Sequence, residues 1–298
     1  GWYTKNIDVD GDNDFADDAR TVKVYIAPEA SIRSYFTVVA VPDDVDTYEF
    51  LRDNGWFELA NAKGEGLFVL EPGAEGWGSA AEEKAYMDAA IAFLKSGRNE
   101  AGINVFSTFG EFYLAGYGEG AAPLEAWAAE NPIFVISQAF VNAASAGKAV
   151  LEEAGSVLYD GSNTSGYDAG FKTDAEFQAV LKECGMEQIA RKDVPVPTWF
   201  AGTSSADSVD YWKEANDCVS NADGEGVYRQ DKDSDAIQTA FANAQLPASE
   251  RYGISQVKVS SETPSAAEIY AFLSVYTRYD NTFAYSNALT YRLDYTSA

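Results

Sequence analysis

The sequence contains no histidine, only two cysteines and two methionines, and few positive charges: 21 Lys and Arg stand against 47 Asp and Glu in 298 residues. Each shortage excludes something. Without histidine, the side chain that titrates near neutrality and serves most often as general base is missing. A Ser-His-Asp triad, a Cys-His dyad and any histidine zinc site therefore cannot form within this chain, and two cysteines are too few for a thiolate zinc site. The formal net charge of −26 repels nucleic acid and anionic membrane surfaces. No stretch approaches the roughly 20 apolar residues of a membrane-spanning helix, so no membrane insertion is expected. Cys184 and Cys218 leave a single disulfide or two free buried thiols as open alternatives.

What is present is enough apolar material for one large core, 46% hydrophobic and 14% aromatic residues. Neither a tandem repeat nor a low-complexity linker interrupts it. The expectation is a single domain over 1–298, with an acidic N-terminal segment 1–20 and a polar insertion at about 219–251. A start at Gly1 without an initiator Met, taken with the acidic balance, points to an exported or surface protein.

Strand and helix patterns alternate along the chain. Thr21 to Pro28 alternates like a half-buried strand, and Tyr35 to Pro42 is a continuous apolar run. A helix is expected from Phe50 to Ala60, a strand over Gly66 to Leu70, a helix from Glu82 to Leu94, and a strand over 112–115. A helix through Leu124 and Trp127 to Glu130 follows, then a strand at Ile133 to Ser137. Further on, helices are read at 174–183, 209–216 and 266–276, with strands at 194–201 and 257–260. Alternation of this kind indicates an α/β fold, a mostly parallel central sheet covered by helices on both faces.

The stretch from Phe112 to Leu124 reads as a buried strand, a glycine-pinched turn and the start of a helix. Gly116 and Gly120 stand where a G-x-S-x-G nucleophile elbow has its outer glycines, but the centre is Gly118. A hydrogen cannot attack an ester. A phosphate cradle is the other reading of a glycine-rich turn, yet Ala121, Ala122 and Pro123 follow where a mononucleotide loop needs Lys-Ser/Thr.

With these residues in place, the chain resembles α/β-hydrolases of the secreted esterase type, the polyhydroxybutyrate-depolymerase and feruloyl-esterase-like group, over roughly residues 20 to 280. The landmarks are the strand Val38 to Val41, Gly55-Trp56, the strand Leu67 to Leu70 ending at Pro72, the elbow at 116–120, Asn131-Pro132, and Val196-Pro197 with Gly202-Thr203. The resemblance implies an eight-stranded, largely parallel sheet and an active-site mouth at the strand C-termini. It also implies where the catalytic groups belong, and there the sequence departs from it. The nucleophile position falls on Gly118. The oxyanion loop is Val41-Pro42-Asp43-Asp44, with a proline that has no N–H to give. The acid position is Ser205, with Asp207 two residues late, and the base position falls among Ser261, Glu262 and Thr263.

The reading is therefore a catalytically inactive hydrolase fold that binds a ligand or serves a structural role, with a small ester, a glycan or a polymer as the ligand class. The alternative is an ester hydrolase with relocated groups, Ser137, Ser205 or Ser261 as nucleophile. Trp77 and Tyr117 are placed at the mouth of a pocket with Asp43 and Glu119, where aromatic faces suit sugar rings or aryl groups. A carboxylate pair of Glu119 with Glu71 or Glu262 is the glycosidase-like option. Finally, Asp8, Asp10, Asp12 and Asp14 alternate around Gly11 as Ca²⁺ ligands would, and a solvated acidic turn is the other reading.

Overall fold

The computed structural model describes residues 1–14, 19–30, 36–96, 112–158, 190–218, 220–221, 226–229, 256–279 and 285–291. The centre of the sheet is set by continuous apolar runs: β3 (Phe36–Ala40), β4 (Gly66–Leu70), β5 (Phe112–Tyr117) and β6 (Val135–Val141) are buried at every position. Strands apolar on both faces need cover on both. With β1 (Trp2–Asn6), β2 (Thr21–Ile26), β7 (Thr198–Ala201), β8 (Ser220–Asn221), β9 (Val227–Arg229) and β10 (Gln256–Ser260), they form a ten-stranded sheet in the order β1-β2-β4-β3-β5-β6-β7-β10-β9-β8. The run from β4 to β10 is parallel. Antiparallel strands extend it at both ends.

Two cores follow from the pleat, since successive residues of a strand point to opposite faces. Val38, Ala40 and Leu114 face one side, under α3 (Ala80–Ser96), α4 (Ala121–Glu130), α5 (Lys148–Ser156) and α6 (Ala206–Ala215). Val39, Tyr113 and Ala115 face the other, under α1 (Thr47–Asp53), α2 (Trp56–Lys63) and α7 (Ala266–Leu273). Each fully buried Val or Leu contributes about 1.5–3 kcal/mol relative to exposure. The parallel sheet with helices on both faces is thus as the sequence pattern predicts.

Several expectations are corrected. The helix read from Phe50 to Ala60 is two helices, α1 and α2, because Gly55 takes φ +84° and Asn54 Nδ2 caps the Phe50 carbonyl at 2.8 Å. The sheet has more strands than the expected eight: β1 precedes the acidic turn, and β8 and β9 come from the segment read as a polar insertion. After α7, which ends three residues short of the helix expected over 266–276, come β11 (Tyr276–Tyr279) and β12 (Tyr285–Tyr291), an antiparallel pair with no counterpart in the sequence reading. Helix α5 had no counterpart in the sequence reading. The helix expected at 174–183 and the remainder of the 219–251 insertion lie outside the described residues.

Candidate functional site

The elbow is built by three glycines with different duties. A Cβ on Gly116 would lie 2.9 Å from the Ala121 Cα, and one on Gly120 would lie 2.6 Å from the Val41 carbonyl. Both are closer than carbon atoms tolerate, so the outer glycines let β5 and α4 pass. Between them Tyr117 is extended, Gly118 turns at φ +53°, and a 3-10 turn over Gly118–Gly120 leads into α4. This is the strained summit on which a nucleophile would be displayed. A Cβ there would meet the Pro42 Cβ at 2.9 Å. Pro42, in the loop after β3, therefore stands where a side chain at position 118 would need room.

One backbone donor of that loop is engaged. Asp43 N–H donates to Glu119 Oε2 at 3.2 Å, so the chain's own carboxylate occupies the donor next to the elbow. Trp77 fixes the loop from the other side, its indole Nε1–H donating to the Val41 carbonyl at 2.7 Å and its backbone N–H to Asp43 Oδ1 at 2.8 Å. Ala144 N–H donates to the Gly118 carbonyl at 2.9 Å, which brings the segment after β6 against the elbow. The structure therefore gathers Asp43, Trp77 and Glu119 at the C-terminal ends of β3 and β5.

Other predicted site residues stand elsewhere. Tyr117 is 5% exposed, its hydroxyl accepts from Trp56 Nε1 at 3.0 Å and its ring meets Phe50 edge-on at 4.9 Å. It shares its face of β5 with Tyr113 and Ala115, so the pleat sends it into the α2 and α7 core rather than to a pocket mouth. Burial pushes its phenol pKa up. Asp207 is exposed in the first turn of α6, and Glu262 is exposed in the loop after β10; among the described residues neither hydrogen-bonds to the elbow.

Of the groups in the alternative chemistries, Ser137 and Glu71 are occupied by structural hydrogen bonds, whereas Ser205 makes no side-chain cap bond. Ser137 is buried and donates to the Leu273 carbonyl at 2.7 Å, and Ser205 is the N-cap residue of α6. Ser261 is exposed next to Glu262. Glu71 accepts from Thr21 Oγ1 at 2.8 Å and Thr47 Oγ1 at 2.5 Å, with Lys23 Nζ at 3.8 Å, which ties it to a structural network. Cys218 is a free thiol whose pKa burial pushes up to about 12, so it is a poor nucleophile near neutrality. Cys184 lies outside the described residues.

In the N-terminal turn, Asp8 Oδ1 accepts from Gly11 N–H at 2.8 Å and Oδ2 from Asn13 N–H at 3.0 Å. Asp10 and Asp12 accept from the N–H groups of Asp12 and Asp14 at 3.1 and 2.7 Å. Carboxylate oxygens of Asp8, Asp10 and Asp12 come within 4.8 Å of one another; Asp14 does not join that group.

One polar cluster was not anticipated. Glu125, on α4, is 2% exposed and forms no ion pair among the described residues. It accepts from Ala146 N–H at 2.9 Å, Ser208 Oγ at 3.1 Å and Trp212 Nε1 at 3.0 Å, and Ser145 Oγ lies 2.6 Å from Ser208 Oγ. Burial raises its pKa and those donors pull it back. The signal was one charged residue within the otherwise apolar Ala121 to Ala129. A separate cavity of about 320 Å³ lies between α3, α4 and α5, lined in part by Lys84, Met87, Pro123 and Trp127 and by none of the elbow residues.

No protein-family model matches the sequence, and no curated protein matches it. Among solved structures, the chain is similar to an acetyl xylan esterase from Aspergillus awamori at a TM-score of 0.51 and 12% identity, over 92% of this chain and 98% of that one. Est1E from Butyrivibrio proteoclasticus matches 71% of this chain and 84% of its own at 10% identity and a TM-score of 0.41. The esterase domain of a Rhodothermus marinus protein matches 72% and 83% at 13% identity and a TM-score of 0.39. The fold assignment rests on the first of these, with the strand order and the elbow; the others, at their lower scores, add nothing to it. The chain has an α/β-hydrolase fold.

Proposed function

We propose that this α/β-hydrolase fold is kept without ester-hydrolysing chemistry and acts as a binding or structural domain of an exported protein. The observation that carries the reading is the elbow summit: the residue displayed there is Gly118, in a chain with no histidine to activate any replacement. The engaged Asp43 N–H supports it, since an oxyanion would have to displace Glu119. The ligand class is a small ester, a glycan or a polymer, met at the strand ends by the half-exposed Trp77 beside Asp43 and Glu119.

The test is intact-mass analysis before and after a fluorophosphonate, with hydrolysis of short acyl and feruloyl esters by the same preparation. No adduct and no turnover are expected. An adduct on a single serine with matching turnover would overturn the reading in favour of an esterase whose nucleophile has moved, with Ser205 and Ser261 the first positions to map.

A further inference from the structure

Helix α4 packs against both α3 and α5, and the cavity of about 320 Å³ opens where faces of the three helices meet. Pro123, Trp127 and Glu130 share one face of α4 by the three- and four-residue spacing of a helix, and Val150, Glu153 and Val157 share one face of α5 in the same way. Most of the lining is apolar. Met87, Ala126 and Trp127 are buried at its inner end, whereas Val157 is 43% exposed, so the cavity runs from the packed face of α4 to an apolar rim in solvent.

Four charged side chains complete the lining, Lys84, Asp88, Glu130 and Glu153. Lys84 Nζ lies 2.9 Å from Asp88 Oδ2 and 2.5 Å from Glu130 Oε2. Burial works against the Lys84 charge, but the bonds from Glu130 and Asp88 outweigh it and hold the ammonium above the ordinary lysine pKa. The one cation of the lining is thus already engaged by two carboxylates. Three carboxylates against one ammonium leave the lining net negative. Helices α4 and α5 also end beside the cavity, at Glu130 and Ser156, and the last carbonyls of a helix add partial negative charge.

We infer that this cavity is a binding site for a small organic cation, an ammonium carried on an aryl or branched-alkyl body. The body lies against Met87, Trp127 and Val157, and the ammonium sits among Asp88, Glu130 and Glu153. At about 30 Å³ per water-sized group the volume holds roughly ten non-hydrogen atoms, the size of an arylalkylamine. The two features select together: apolar walls give a fully hydrated ion nothing to replace its water, and the carboxylates repel an organic acid. The cavity shares no lining residue with Asp43, Trp77 and Glu119 at the strand ends, so it is independent of the function proposed for them.

The experiment is calorimetric and ligand-observed NMR titration at low salt with four probes: phenethylammonium, 2-phenylethanol, 3-phenylpropionate and tetramethylammonium. One phenethylammonium per chain is expected, with a Kd of about 1 mM or tighter. It binds roughly tenfold more tightly than the alcohol, and roughly 0.15 M NaCl weakens it. The propionate and tetramethylammonium show no saturable binding. Ala81→Trp fills the mouth from an exposed position on α3 and abolishes binding while the charge of the chain stays the same. Glu153→Gln, also at an exposed position, weakens binding by roughly two- to fivefold. Equal affinity for the ammonium and the alcohol overturns the proposal, as does no saturable phenethylammonium binding. Binding that folded Ala81→Trp leaves intact also rejects it, since the cation is then only a counterion spread over an acidic surface. If Ala81→Trp does not fold, Glu153→Lys decides by setting a second ammonium in the lining; unchanged binding there rejects the site.

Discussion

The elbow and the Glu125 cluster lie at the start and the middle of the same helix, α4, and each has what the other lacks. At the elbow the backbone makes a strained turn, with Gly118 at φ +53° close to the strand ends, but its summit residue is a glycine and displays no side chain. At Glu125 the reactive types are present, a carboxylate touching Ser208, which in turn touches Ser145, but the carboxylate and Ser208 are 2% exposed. The difference teaches that neither geometry nor residue type makes a site alone. Access decides, and access belongs to loops above the strand ends rather than to helices packed on one another.

The largest expected effect breaks the buried half of that comparison. Glu125→Ala strands the Ala146 N–H, the Ser208 hydroxyl and the Trp212 indole N–H without their acceptor, and stranded buried donors cost about 1–3 kcal/mol each. A loss of about 3 kcal/mol or more in urea unfolding is expected; a neutral result would show that the cluster is hydrated and open. Glu125→Gln, locked in the neutral state, separates the charge from the shape. Because burial raises the folded carboxyl pKa above its unfolded value, Glu125 favours the native state most fully below the unfolded pKa, and that advantage is lost as pH rises through the folded pKa. The stability of the parent relative to Glu125→Gln is therefore expected to fall with rising pH across that window.

An intermediate effect is expected at the elbow. Gly118→Ser places a Cβ at positive φ and 2.9 Å from Pro42, at a cost of about 1–3 kcal/mol, read as a lowered melting temperature. It gains no esterase activity, since no histidine exists to take the hydroxyl proton. Turnover by Gly118→Ser with p-nitrophenyl esters would mean that another base stands within reach, and the contrast between the two regions would narrow.

The smallest effect sharpens the comparison with carboxylates that are exposed. Asp8, Asp10 and Asp12 already spend oxygens on the N–H groups of their own turn, so calcium has to share them. At millimolar Ca²⁺ a site of the extracellular class adds about 1 kcal/mol, a rise of a few degrees or less in melting temperature that Asp10→Ala and Asp12→Ala remove. An unchanged melt assigns the turn to solvent.

Much of the fold was legible because the parallel strands carry their own signal. β4 coincides with the Gly66 to Leu70 run, and β3 and β5 lie within a residue or two of the stretches read for them, since strands buried on both faces are unbroken apolar runs between turn residues. β1 was missed for the opposite reason: exposed on both faces, it has no apolar alternation to detect. Helix α5 was missed because only Leu151, Ala154 and Gly155 are buried along it. Gly118 at the elbow could be read from spacing. Tyr117 was misplaced, although the parity of β5, shared with Tyr113 and Ala115, already pointed it to the core.

By itself the sequence bounded the reacting groups: without histidine no Ser-His-Asp triad forms within this chain, wherever it folds. It also determined the local turn, because Gly116, Gly118 and Gly120 are the residues that tight passage and positive φ require. Only the tertiary structure decided that Asp43 N–H, 76 residues from Glu119, is held by its carboxylate, that Pro42 fills the space over Gly118, and that Glu125 is buried between α4 and α6. Those contacts depend on β3 and β5 being neighbours in the sheet and on how the helices pack against one another, and no local pattern encodes an order set by long-range burial.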